Sequence, residues 1–301
     1  MHFQLTDDQR ALQAGLRDVL KGGGVEWSEL VDVGLFTLRL PEADGGVGLG
    51  LPEAVLAFEE AGRALVPGPL VGTELAATLG LTGRAEVVRV PARGTLLVPH
   101  LPTLAQVLLL DDHELTVFGP ETLDAEPARA VDPQTPLWRV TGPLPAPRQR
   151  LDPPTAHRIA AEATLLTAAL QAGLAARTVA DAVRYAQQRE QFGQPIGAFQ
   201  AVQHLCADML ARAELARVAV YAAAVSGDAD EIAGAKLLAD DAAVHGARDC
   251  LQVHGGMGFT WEASVHLLLK RAWAWEQACA DRDRCLDQLA TGLADGLAEH
   301  L

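Results

Sequence analysis

The chain has 301 residues, 49% of them hydrophobic, enough to bury a substantial core divided among one to three domains. A net charge of -15 and a pI near 4.9 argue against nucleic acid, whose phosphates this surface repels. The four cysteines (206, 250, 279 and 285) show no CxxC pairing and no histidine at zinc-finger spacing, so they read as the thiols of a reducing compartment. The opening MHFQLTDDQR carries two acids and no apolar signal region, and no apolar run approaches the length of a membrane span. The expectation is a soluble, cytoplasmic protein without a membrane partner.

Residues 1–84 form a first, helical zone. Thr6 precedes a helix with acids in its first turn, and Leu12, Leu16 and Leu20 recur at four-residue spacing on one face. A loop punctuated by Pro41, Gly45, Gly46, Gly48 and Gly50 then leads to a second helix through Val55, Phe58, Glu59 and Gly62.

The texture changes over 85–155, where EVVRV, GTLLVP, AQVLLL, ELTVF and LWRVTG are short β-rich runs separated by turn residues. They predict a small antiparallel sheet. The prolines at 143, 145, 147, 153 and 154 mark a linker into the third zone.

Residues 156–301 return to helical periodicity. Ile159, Ala163, Leu166, Leu170 and Leu174 share a face, as do Leu205, Met209, Ala213, Ala216 and Val220. A third stripe takes in Val265, Leu268, Ala272, Trp275 and Cys279. Helices joined by short turns in this way predict an antiparallel bundle.

Two stretches of the third zone carry the functional signal. Residues 252–262, QVHGGMGFTWE, set a glycine run between two helices rather than after a strand, which excludes a Rossmann turn. Such a loop exposes backbone N–H groups beside a helix N-terminus, where a diphosphate can lie. The same residues also suit a simple C-cap and tight bend. Residues 185–209, YAQQREQFGQPIGAFQAVQHLCADM, place Arg189 at a helix end before a Gly/Pro turn, with Phe192 in the turn and Gln200 opening the next helix. Arginine is a forked, permanently charged donor suited to phosphate, glutamine a hydrogen-bonding partner for a sugar, and phenylalanine a face for a planar ring. Taken singly, these are also ordinary solvated or core residues.

Together the two stretches resemble the acyl-CoA dehydrogenase family, through RxxFG…PIxxFQxxQxxxADM across 189–209 and QxxGGxGFTxE across 252–262. PEADGGVGLG and the EEAGRAL helix resemble the family's N-terminal part. The resemblance implies a mostly α fold with a small β-domain: an N-terminal helical domain, a reduced central antiparallel β-domain and a C-terminal four-helix bundle. It implies FAD as cofactor, with Arg189, Phe192, Gln200, Gln252, Gly255 and Gly256 contacting the ADP half of a flavin held mainly by a neighbouring subunit. It further implies an acyl-CoA thioester as substrate and an electron-transfer flavoprotein as acceptor.

The family's chemistry needs a general base beside the α-carbon of the thioester. The two positions that carry this glutamate in relatives correspond here to Ala163 and Cys279. Glu162 and Glu276 lie nearby, but both read as solvated charges, and adjacent helical residues point about 100° apart. The family's flavin-ring segments are not found in the central zone. The favoured expectation is therefore a subunit of a hetero-oligomer whose longer paralogous partner supplies the base. A self-sufficient homo-oligomer using Glu162 or Glu276, and a flavin-free scaffold, are the alternatives. Asp241, His245 and Asp249 recur at helical spacing, yet an exposed helix face is the simpler reading than a metal site.

Overall fold

The computed structural model describes residues 4–21, 24–91, 93–112 and 114–298, with backbone only for 296–298. The outer limits set for the first and third zones, and His113 in one of the separators, lie outside the described residues.

Local chemistry starts the first helix where the sequence indicates. Helix α1 (Asp7–Val19) is capped by Thr6, whose Oγ1 accepts from the Gln9 amide at 3.2 Å while the Gln9 side chain accepts from the Thr6 amide at 3.0 Å. Leu16 and Leu20 are buried and Leu12 partly so. The short α2 (Trp27–Asp32) and the glycine-punctuated loop lead to α3 (Leu51–Ala64), followed by α4 (Leu70–Thr78).

The middle of the chain folds into two small sheets. Strands β1 (Ala85–Arg89), β3 (Gln106–Leu110), β4 (Leu115–Phe118) and β7 (Gln149–Leu151) form one, in the order β1-β3-β4-β7. Strands β2 (Leu97–Pro99), β6 (Leu137–Val140) and β5 (Ala125–Ala128) form the other, in the order β2-β6-β5. Val88, Val98, Val107, Leu109 and Phe118 fill a core shared by the two. The expected antiparallel pairing holds except at β1 and β3, which run parallel with Ala85 opposite Gln106. The cause is the intervening strand: β2 leaves for the second sheet, and the chain returns to the first in its original direction. Strands β5 and β7 escaped the sequence reading because AEPA and QRL are largely exposed and carry little apolar alternation.

Five helices complete the chain among the described residues: α5 (Pro153–Gln188), α6 (Gln200–Ser226), α7 (Ala229–His254), α8 (Val265–Glu276) and α9 (Arg282–Ala298). Pro153 and Pro154 belong to the first turn of α5 rather than to a linker, since proline there gives up only an amide that has no helical partner. Asp152 caps the same turn, accepting from the Thr155 amide at 2.9 Å. Prolines 143, 145 and 147 do lie in irregular chain. The predicted stripe on α5 is buried throughout, as are Met209, Ala213, Ala216 and Val220 on α6. Helix α5 is also, among the described residues, the helix long and apolar enough to cross a membrane. This amends the expectation that no run approaches that length, but 83% of its most apolar window is buried inside the fold.

Helices α3 and α5 cross with their backbones in contact. A Cβ at Gly173 would lie 1.9 Å from the Glu59 carbonyl, and one at Gly62 would lie 2.0 Å from the Leu170 carbonyl. This reciprocal pair fixes the first helical layer against the bundle.

Candidate functional site

The end of α5 is held beside the end of α7. The Tyr185 and His254 rings stack with centroids 4.0 Å apart, so Arg189, one turn beyond Tyr185, and Gly255, next after His254, share one end of the bundle. The two motif stretches, 67 positions apart from Tyr185 to Gln252, are thereby brought into one region.

Arg189 caps α5 through its amide, which donates to the Tyr185 carbonyl at 2.8 Å, and its side chain is exposed. No hydrogen bond or ion pair among the described residues engages the guanidinium. A two-stranded hairpin follows, β8 (Glu190–Gln191) paired with β9 (Gln194–Pro195). Its turn is Phe192–Gly193, with φ of 55° and 78°. Left-handed backbone at both central positions is the tight-hairpin geometry that normally selects Asn-Gly or Gly-Gly. Phenylalanine there is strained, and it stands 92% exposed, touching Phe199 edge-on with centroids 6.1 Å apart. Gln200 is the first residue of α6 and is exposed.

In the glycine run, two of the glycines have local reasons and the third has none. Gly255 ends α7 with φ 58° and ψ −141°, a conformation that a Cβ opposes. Gly258 is buried, and a Cβ there would sit 3.0 Å from Leu251 Cδ2 and 3.2 Å from His254 Cβ. Gly256 has neither constraint: it is exposed and a Cβ would meet nothing within 4 Å. Gln252, one turn earlier on α7, is exposed with no side-chain partner among the described residues. The same end of the bundle also carries Phe259 and Trp261, 77% and 78% exposed, which the sequence reading did not single out. Trp261 lies under the Lys270 ammonium, 4.8 Å from the ring centroid.

Towards the opposite end of α5, the two positions that the family resemblance assigns to the base, Ala163 and Cys279, are bridged by Thr167. Thr167 Oγ1 donates to the Ala163 carbonyl at 2.8 Å and lies 3.6 Å from Cys279 Sγ. Ala163 is fully buried, and burial pushes the Cys279 thiol up, away from the thiolate form a base requires. Cys279 is not on a helix, as its periodic spacing had indicated. Helix α8 ends at Glu276, and Cys279 adopts φ 63° in the turn before α9, where Arg89 Nε donates to its carbonyl at 2.9 Å.

Of the two nearby glutamates, Glu162 is not the solvated charge expected. Glu162 is buried, clamped between Arg39 Nη2 at 2.8 Å and Arg158 Nη1 at 3.1 Å. Arg39 comes from the loop before α3, a partner invisible to helical spacing, and it also faces Glu74, whose carboxyl burial pushes up to about 7. Glu276 is half-buried at the last position of α8, and its carbonyl accepts from the buried Lys236 Nζ at 3.3 Å. On α7, His245 pairs with Asp241 at 3.0 Å while Asp249 pairs with Arg212, so these residues are not gathered around a common centre.

Residues 8–87 match the acyl-CoA dehydrogenase N-terminal domain and residues 157–276 the acyl-CoA dehydrogenase C-terminal domain. Acyl-CoA dehydrogenase FadE34 of Mycobacterium tuberculosis is 38% identical over 81% of this chain, which spans only 38% of that protein's length. Acyl-CoA dehydrogenase IpdE2 of Mycolicibacterium smegmatis is 34% identical over 80% of this chain and 78% of its own length. Among solved structures, the ChsE4-ChsE5 complex from M. tuberculosis superposes with a TM-score of 0.83 at 22% identity, covering 98% of this chain and 99% of that one. The helical layer, paired small sheets and helix bundle, with both domain matches spanning the segments described above, place this chain in the acyl-CoA dehydrogenase family.

Proposed function

We propose that this chain is the non-base-bearing subunit of a hetero-oligomeric acyl-CoA dehydrogenase. In this reading it clamps the ADP half of FAD with Arg189, Phe192, Gln200, Gln252, Gly255 and Gly256. A longer paralogous subunit supplies the flavin-ring site and the catalytic glutamate.

The observation that carries the reading is Gly256. Among the described residues it has no backbone or packing reason to lack a side chain, yet it lies at the bundle end that also presents a guanidinium with no partner among those residues and an exposed, strained Phe192. Close approach of a group from outside accounts for all three. These residues fit a diphosphate and the ring beside it: Arg189 offers a fork of charged donors, Gly256 an open backbone and Phe192 an aromatic face.

Bound FAD supplies the hydride acceptor for α,β-dehydrogenation of an acyl-CoA thioester, with an electron-transfer flavoprotein as the onward acceptor. The α-proton must leave to a base, and Ala163 and Cys279 offer none. Glu162 already serves two arginines, so its carboxylate is committed to holding Arg39 and Arg158. The ChsE4-ChsE5 complex, one chain of which superposes on this fold, pairs two proteins, and that pairing supports a paired arrangement here.

The purified chain alone is expected to be nearly colourless and inactive, and co-expression with a longer paralogue to give a yellow complex that oxidises acyl-CoA. Flavin absorbance and ferricenium reduction measure both. A yellow chain that turns over acyl-CoA without a partner would overturn the assignment and return the base to this subunit.

A second expectation concerns the outer face of α6. Leu210, Val218 and Val225 are each at least half exposed and fall within about 80° of one another around the helix, with Leu215 bordering them. This face is assigned to the subunit interface, which should bury at least about 1,000 Å² in total. Val218→Asp should therefore shift the complex towards free subunits in sedimentation velocity, with little change in the isolated chain's melting temperature. An assembly unchanged by that charge would place the interface elsewhere.

A further inference from the structure

A cavity of about 480 Å³ lies between the C-terminal end of α1, the end of α3, the C-terminal half of α5 and the start of α8, and shares no lining residue with the cofactor site proposed above. Its volume is within the usual range for small-molecule sites, about 300–1,000 Å³. Four cations line it, Arg17, Lys21, Arg63 and Arg177, although the chain carries a net charge of -15. Val66, Leu267 and Leu268 supply an apolar wall.

Three of the four cations are already matched. Arg17 forks onto Glu60, with Nε at 2.9 Å and Nη2 at 2.6 Å. Arg177 Nε donates to Asp181 at 2.7 Å, and Lys21 pairs with Asp18. Arg63 differs. It shares Glu60 with Arg17, its Nε 3.6 Å from that carboxylate and beyond hydrogen-bond reach, and none of its guanidinium nitrogens makes a hydrogen bond among the described residues. The outer nitrogens of this partly exposed guanidinium are the ones a ligand in the cavity can reach, and a carboxylate there makes charge-assisted hydrogen bonds that the fold does not supply.

The platform beneath is rigid. The reciprocal contact of Gly62 with Leu170 and Gly173 with Glu59 locks α3 onto α5 immediately beside Arg63 and Glu60. A binding group held on packed backbone loses little freedom when it engages its ligand.

We infer that this cavity binds a monoanionic carboxylate with an apolar tail, its head on Arg63 and its tail along Val66, Leu267 and Leu268. Two guanidiniums on one carboxylate leave one positive charge over, which calls for one negative charge, and the planar fork of Arg63 suits a carboxylate. The apolar wall disfavours a bare, fully hydrated inorganic anion.

The test is calorimetric titration of the full chain with decanoate, and separately with inorganic phosphate, at constant ionic strength. Decanoate should bind saturably at one site, Arg63→Met should weaken it at least about tenfold, and phosphate should not displace it. Arg139→Met, which removes an exposed ion pair on the second sheet, should leave binding unchanged. Should Arg63→Met fail to fold by circular dichroism, Leu267→Glu serves instead: its carboxylate would reach the cations and abolish decanoate binding. Absence of saturable binding, full affinity in the folded Arg63→Met or Leu267→Glu variant, or displacement by phosphate as effective as by decanoate would each overturn the inference.

Discussion

Arg189→Ala should lower the affinity of the assembled complex for FAD about tenfold to a hundredfold while leaving the melting temperature of the chain nearly unchanged. A charge-assisted hydrogen bond contributes about 1.5–3 kcal/mol, and each 1.4 kcal/mol is a factor of ten in binding. The fold has little to lose, because the side chain is exposed and engages no partner among the described residues. The role of this position in the α5 end is made by its backbone amide, which alanine retains. Gln252→Ala should weaken FAD by a smaller factor, since a neutral hydrogen bond contributes nearer ~1 kcal/mol. A merely structural role reverses the pattern, with melting temperatures falling and FAD affinity constant. Dissociation constants and melting curves for both variants separate the two, and an unchanged FAD dissociation constant in Arg189→Ala would end the claim that this chain grips the cofactor there.

The same contrast between backbone and side-chain roles explains what could be read from the sequence. Periodicity located α5 and α6 because their buried stripes are dictated by a local repeat, and Thr6 marked the start of α1 because capping is local too. The motif residues around 189–209 and 252–262 were legible as a group. What unites them, the stacking of Tyr185 on His254, involves residues 69 positions apart that no periodic pattern links. Glu162 was misread for the same reason. Its neighbours in sequence say nothing of Arg39, which approaches from 123 residues away and turns a surface charge into a buried pair. Cys279 fits the α8 stripe by spacing, but Glu276 ends the helix and a left-handed residue turns the chain inward. The parallel pairing of β1 and β3 was equally hidden, since strand direction depends on where β2 goes.

The largest stability effect should come from Arg271, one of the most deeply buried side chains in the described structure. It sits on α8 at 2% exposure and ion-pairs with Asp132, also 2% exposed, in the segment between β5 and β6. Its Nη1 donates to the Val66 carbonyl at 3.1 Å, just before α4, and its Nη2 to Gln134 Oε1 at 2.8 Å. One guanidinium thus ties the bundle, the first helical layer and the second sheet together. Asp132 is itself held by the Gln134 amide at 3.0 Å and by Thr135 Oγ1 at 2.7 Å and is buried, so removing Arg271 leaves it with hydrogen bonds but no counter-ion. Arg271→Met keeps much of the stem but strands that carboxylate, and loss of one partner of a buried pair costs about 3–5 kcal/mol. Urea unfolding at neutral pH should show a loss of that size for Arg271→Met and for Asp132→Ala. The double variant should lose less than the sum, because neither charge is then left alone. Helix α8 follows directly from the glycine loop, so loosening this anchor should also weaken FAD binding in the complex, although Arg271 is buried away from the exposed end where the cofactor is proposed to lie. A loss below about 1 kcal/mol in both single variants, the range of an exposed pair, would show that the three layers are held by their apolar contacts and that the ion pair is incidental.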